Sequence, residues 1–208
     1  VQNVTVTVAD GRFWYSLGNG LGNGLDNNWY LDGNNASVVS SDGNKTTVQM
    51  GSGYRGDLWL ARSGKGKIVN VTPADYRYFA IKVGFKSQLV PGKNKPNGCI
   101  KLEIFDDGIK KIGPEYFGTG GDANNRYEIL GASEISTTEP NVLYYDLQSK
   151  YKTVTPTDWN QVFDLSQCKF VIADFPETAQ TYDLYWIRSF KSIEELQAFV
   201  DSENNTNE

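Results

Sequence analysis

Tyr78-Phe79-Ala80-Ile81-Lys82-Val83-Gly84-Phe85 puts a large apolar side chain at every second position, with Ala, Lys and Gly between. A period of two marks a strand with one buried face, because successive side chains leave a pleated backbone on opposite sides. Ile100, Leu102 and Ile104 repeat the pattern before an Asp107-Gly108 turn, and these two runs are the strongest core strands of the chain. Working outward, Ala36–Ser41 and Thr46–Met50 flank Asp42-Gly43-Asn44, which predicts a β-hairpin. Asp57–Arg62 is a short strand in which Trp59 opposes Leu58 and Leu60. Val142–Leu147, Lys169–Phe175 and Tyr182–Phe190 are further strands, and Val4, Val6 and Val8 predict an outer strand over Val1–Ala9. Many short strands separated by Pro, Gly and Asn segments predict an all-β sandwich.

One helix is expected. Ser192-Ile193-Glu194-Glu195 has the form of a capping box, in which the serine hydroxyl accepts from the third helical amide and Glu195 reaches back. Ile193, Leu196, Phe199 and Val200 then fall on one face, so the helix should dock on the sandwich. The expected organisation is one domain over residues 1–203 and a disordered tail over 204–208.

Composition narrows the function. The 208 residues contain no histidine, which removes Ser-His-Asp, Cys-His and HExxH chemistry together with the commonest zinc ligand. A net charge of −5 and no basic run longer than Lys110-Lys111 give no footprint for nucleic acid. No apolar run approaches the length of a membrane span, so no membrane insertion is expected. Asn, Gly, Thr and Tyr are plentiful beside one Met and two Cys, which suits an exported protein whose signal was removed before Val1. With Ile100, Leu102 and Ile104 inward, Cys99 faces outward, whereas Cys168 shares a face with Phe170 and Ile172. These phases argue against a disulfide, and the Cα separation decides it.

Aromatics make up 13% of the chain, enough to leave rings spare for the surface. Sugar rings have apolar C–H faces that lie on aromatic rings and hydroxyl rims that bond to amides, carboxylates and guanidiniums. Two stretches offer that combination. Trp14, Tyr15, Trp29 and Tyr30 border a Gly/Asn segment centred on Leu17–Gly24, and Tyr54-Arg55-Gly56-Asp57-Leu58-Trp59 places Arg55, Asp57 and Trp59 on one face if Leu58 points inward. The candidate carbohydrate-binding residues are therefore Trp29, Tyr30, Tyr54, Arg55, Asp57, Trp59 and Trp14. One of Trp14 and Tyr15 must face inward if that stretch is extended, and Trp186 is expected in the core.

Paired carboxylates are the rival chemistry, since a glycosidase needs two acids at fixed separation. Glu103-Ile104-Phe105-Asp106-Asp107 is the densest acidic run, yet Asp106-Asp107-Gly108 reads as a turn. No catalytic residue is assigned and no cofactor is expected. The same acids leave a structural Ca²⁺ open, although no loop shows regular ligand spacing.

The ending Tyr182-Asp183-Leu184-Tyr185-Trp186-Ile187-Arg188-Ser189-Phe190-Lys191-Ser192-Ile193-Glu194-Glu195-Leu196 resembles the close of DUF4979-type domains of glycan-degrading gut bacteria. Trp29–Ser37, Tyr54-Arg55-Gly56-Asp57, Tyr78-Phe79-Ala80-Ile81-Lys82 and Tyr144-Tyr145-Asp146-Leu147 are similar to it as well. The resemblance implies a jelly-roll, galactose-binding-like carbohydrate-binding module. It also implies a place in cell-surface glycan-capture lipoproteins of the polysaccharide-utilisation kind, or beside polysaccharide hydrolases such as xylanases. Leu17–Gly24 has no counterpart in that pattern and is where this chain's own specificity would lie. The resulting expectation is non-catalytic binding of a polysaccharide or oligosaccharide outside the cell, at the surface or as an outer-membrane lipoprotein, beside other modules of a glycan-capture complex. Two alternatives stay open: a glycoside hydrolase or lyase acting through carboxylates, and a protein-binding surface domain.

Overall fold

A computed structural model describes residues 12–22, 29–31, 36–50, 56–62, 65–66, 70–72, 74–86, 99–106, 109–117, 136–148, 163–173 and 181–206. Among these the strands are β1 (Trp14–Ser16), β2 (Tyr30–Leu31), β3 (Ser37–Ser41), β4 (Thr46–Gln49), β5 (Gly56–Arg62), β6 (Lys65–Gly66) and β7 (Asn70–Val71). They continue as β8 (Tyr78–Phe85), β9 (Cys99–Asp106), β10 (Ile109–Phe117), β11 (Asn141–Asp146), β12 (Phe163–Ala173) and β13 (Thr181–Phe190), followed by helix α1 (Ile193–Asn205). The chain is all-β with a C-terminal helix. The expected strand over Val1–Ala9 lies outside the described residues.

Two antiparallel sheets form. One has the order β11-β8-β13-β4-β3, with β1 also on β13; the other has the order β10-β9-β12-β5-β2, with β6 on β5 and β7 on β12. The alternation that predicted β8 is obeyed: Phe79, Ile81, Val83 and Phe85 are buried. They join Val48 of β4, Leu143 and Tyr145 of β11, and Tyr182, Leu184 and Ile187 of β13 in one cluster. Leu58 of β5 belongs to the same cluster, so the second sheet contributes to this core. Each such side chain stabilises the fold by about 1.5–3 kcal/mol relative to exposure.

Strand β13 changes phase part-way along. Leu184 pairs with Val83 and Trp186 with Lys82, so Tyr185 is an extra residue without a partner on β8. This is a β-bulge, which bends a strand and re-aims its side chains. Before it, Tyr182 and Leu184 face the core; after it, Ile187 does, and Trp186 and Phe190 join Ala80 in a second buried cluster on the outer face of the sheet. Trp186 is thus buried as expected, but beneath α1 and not between the sheets.

Leu196, 4% exposed, closes that second cluster, and Phe199 packs edge-on to Trp186 at 5.5 Å and tilted against Phe190 at 5.6 Å. Ser192 caps the helix by accepting from the Glu195 N–H at 3.1 Å. The returning carboxylate of Glu195 accepts from the Lys191 N–H at 2.7 Å, one residue earlier than the simplest box. The helix also runs further than expected. Asn204 and Asn205 are helical, because the Thr206 hydroxyl donates to the carbonyls of Ser202 and Glu203, and Glu203 is itself held by Trp186 Nε1 at 3.1 Å and Lys82 Nζ at 3.0 Å.

The register separates the cysteines. In the β12–β9 ladder Cys168 stands opposite Ile104 and Cys99 opposite Ala173, with no shift between. Five residues of strand amount to about 16 Å, far beyond the roughly 7 Å a disulfide tolerates, so Cys99 and Cys168 do not pair.

Candidate functional site

On the second sheet the backbone brings two of the expected binding residues together. Tyr30 of β2 stands directly opposite Trp59 of β5, and Trp59 is opposite Lys169 on its other side. β2 is the last strand of the main path of that sheet, and Tyr30 is half-buried. Asp57 lies two residues along β5, opposite Val171. Tyr54 and Arg55 lie outside the described residues.

Trp29 requires a correction. It is completely buried in the main core, with Tyr15 edge-on at 5.8 Å, and an enclosed ring has no face to offer a pyranose. The cause is its position just before β2, where the chain enters the second sheet against the partly buried Tyr15 of β1. Trp14 and Tyr15 divide as extended backbone requires: Tyr15 packs on the core and Trp14 turns outward, 39% exposed. The Trp14 ring is already engaged, with Arg12 and Arg188 guanidiniums 3.8 and 4.4 Å from its centroid and Phe199 edge-on at 5.2 Å. Burial holds the Arg188 guanidinium below its ordinary pKa.

The described part of the Gly/Asn segment is not a free surface loop. Leu17 is fully buried and donates its N–H to the Tyr185 carbonyl at 2.9 Å, while its own carbonyl accepts from the Thr46 hydroxyl. Gly18 accepts from the Gly43 N–H at 3.0 Å, and a Cβ on Gly18 would stand 2.3 Å from the Gly43 oxygen, so only glycine fits there. The segment is strapped to the β3–β4 turn.

A cleft of about 690 Å³ that residue patterns did not indicate lies on the outer face of the first sheet, beside the end of α1. Tyr185, the bulge residue, lines it, with Val142 and Val200 as apolar surface and Lys82, Glu203 and Asn204 at the helix side. Lys82 Nζ lies 5.3 Å from the centroid of the Tyr185 ring and pairs with Glu203. A smaller hollow of about 100 Å³ also borders Tyr185 and contains Asp183, whose carboxylate accepts from Thr47 at 2.6 Å and pairs with Lys45 at 2.9 Å and Lys86 at 3.4 Å. Burial opposes ionisation of Asp183, but the hydrogen bonds from Thr47 and Lys45 and the charges of both lysines outweigh it, leaving the carboxyl below its ordinary pKa. Burial raises the Tyr185 phenol, which stays protonated at neutral pH. The signal that could have revealed this place is weak: an aromatic-rich strand carries no mark of which residue will bulge.

A family model described as a domain of unknown function, DUF4979, matches residues 20–196. The chain belongs to the DUF4979 family. The match takes in every described element from β2 to the first turn of α1 and leaves out β1. It ends at Leu196, the helix residue buried against the first sheet. No curated protein and no solved structure matches the chain. Among the described residues, no three Asp, Glu or Cys side chains are grouped to hold a metal ion.

Proposed function

We propose that this DUF4979 chain is a jelly-roll β-sandwich that binds a polysaccharide or oligosaccharide without transforming it. It works outside the cell, as a surface glycan-binding protein or as a module beside other glycan-handling domains. The observation that carries the reading is the register of β2 on β5, which sets Tyr30 against Trp59 at one position of an edge. Directly opposed residues of an antiparallel pair have Cβ atoms about 4.5–5.5 Å apart, so this register places two aromatic residues at neighbouring positions on one face of the sheet. Each ring contact is worth about 0.5–1.5 kcal/mol by analogy with aromatic pairs, which gives modest affinity that neighbouring modules would raise by avidity.

Affinity electrophoresis in gels containing xylan, mannan, β-glucan or mucin tests the binding, and a reducing-sugar assay on the same polymers tests the absence of turnover. Retardation by at least one polymer without release of reducing ends is expected, and Trp59→Ala should reduce it several-fold while the protein stays folded. Turnover that disappears in Glu103→Gln would replace this reading with a carboxylate enzyme.

A further inference from the structure

The outer face of the first sheet carries a place of a different kind from the β2–β5 edge. Its centre is Tyr185, the residue that the β13 bulge leaves without a partner on β8. The bulge falls where the β4 pairing, which ends at Leu184, gives way to the β1 pairing, which starts at Trp186. Bulges are concentrated next to functional sites because they turn one side chain out of the regular alternation. Here the unpaired residue carries an aromatic ring with a polar tip on the outer face, bordering both hollows, and the phase change brings Trp186 onto the same face beside it.

The groups around the ring are those that recognise sugar hydroxyls. Asn44 and Asn204 bring side-chain amides from the β3–β4 turn and from the end of α1, Glu139 brings a carboxylate, and Lys82 and Glu203 lie between. Asn44, Asn204 and Glu139 are exposed, so these groups meet a ligand without a buried contact being broken. Lys82 and Glu203 are mutually bonded and Glu203 also accepts from Trp186, so this side of the cleft is fixed before a ligand arrives. Among the described residues lining the two hollows, Lys45, Lys82 and Lys86 stand against Glu139, Asp183 and Glu203. These described residues carry no excess of either sign for a phosphate, a sulfate or a uronate, and they supply both donors and acceptors. The volume of the cleft falls within the roughly 300–1,000 Å³ of small-molecule sites.

The geometry points to a second saccharide site, in which an uncharged oligosaccharide lies along the outer face of the first sheet across Tyr185, between the end of α1 and the Lys45–Asp183–Lys86 cluster. This rests on the glycan-binding reading above but places contact on the opposite sheet. Asn204 is the best single probe of it, since its exposed amide can be removed without opening a core.

The experiment titrates the full ¹⁵N-labelled chain with xylohexaose, cellohexaose and mannohexaose, and with hexagalacturonate as the charged comparison. Binding of at least one neutral hexasaccharide is expected to shift the amide signals of Gly84, Tyr185 and Asn204, with Asn204→Ala and Tyr185→Ala each weakening it several-fold. Asn204→Ala decides the matter if Tyr185→Ala fails to fold. A neutral sugar that shifts signals only around Tyr30 and Trp59 and binds Asn204→Ala as it binds the parent overturns the second site and leaves the glycan reading standing. Binding of hexagalacturonate alone overturns the uncharged ligand class in the same way. No shift with any of the four sugars overturns both.

Discussion

Replacing Leu196 by alanine takes three carbon atoms out of the cluster formed with Ala80, Trp186 and Phe190, where the leucine is 4% exposed. At about 0.8 kcal/mol for each buried CH₂, the lost transfer energy is roughly 2–2.5 kcal/mol. A cavity adds to that, but this cluster lies between a helix and one sheet face, and α1 can settle inward, so the total should be about 2–3 kcal/mol, near the low end for buried leucine. Alanine is a marginally better helix former and offsets only tenths of this. For a chain of this size each kcal/mol moves Tm by about 2–4 °C, so a fall of roughly 5–10 °C is expected. Thermal unfolding followed by tryptophan fluorescence is the suitable assay, since Trp186 belongs to the cluster. Ile193→Ala is the internal control: its side chain is on the same helix but 43% exposed, and it should cost under about 0.5 kcal/mol. If Leu196→Ala and Ile193→Ala have the same Tm, the helix is not held by this cluster.

Three further outcomes are expected. Gly18→Ala should cost about 2–3 kcal/mol in denaturant unfolding, because its Cβ would meet the Gly43 carbonyl oxygen at 2.3 Å and both partners are backbone; a variant as stable as the parent would show that the strap between the Gly/Asn segment and the hairpin turn is loose. Asp183→Asn should cost about 1–3 kcal/mol at neutral pH by leaving Thr47, Lys45 and Lys86 without their carboxylate. Since the folded carboxyl lies below its unfolded pKa, this stabilisation is full above about pH 4 and is lost as pH falls through the folded value, so parent and variant should converge in acid and a constant gap would refute the assignment. Dithiothreitol should leave Tm unchanged and both thiols should react with a maleimide after unfolding without reduction, in keeping with the β12–β9 register.

The sequence alone determined the features whose causes lie within a few residues. Alternation at Phe79, Ile81, Val83 and Phe85 fixes a half-buried strand because pleat direction is local, and Asp42 holds its turn by accepting from Asn44 and Lys45. Ser192 and Glu195 likewise locate the start of α1 through contacts three and four residues away. Only the tertiary structure decided the rest. Trp29 looks like a surface ring beside Asn and Asp in sequence, and it is buried because the chain entering β2 passes against Tyr15 of the other sheet. The neighbours of Cys99 and Cys168 already set them on opposite faces, but the distance between them comes from the β12–β9 register. Trp186 lies on the outer face beside Tyr185, and not in the main core, because β13 must match β8 on one side and both β4 and β1 on the other, and the extra residue falls where those pairings change. Burial and register depend on which strands come to lie side by side, and that is settled by the whole chain and not by the residues adjacent to the one in question.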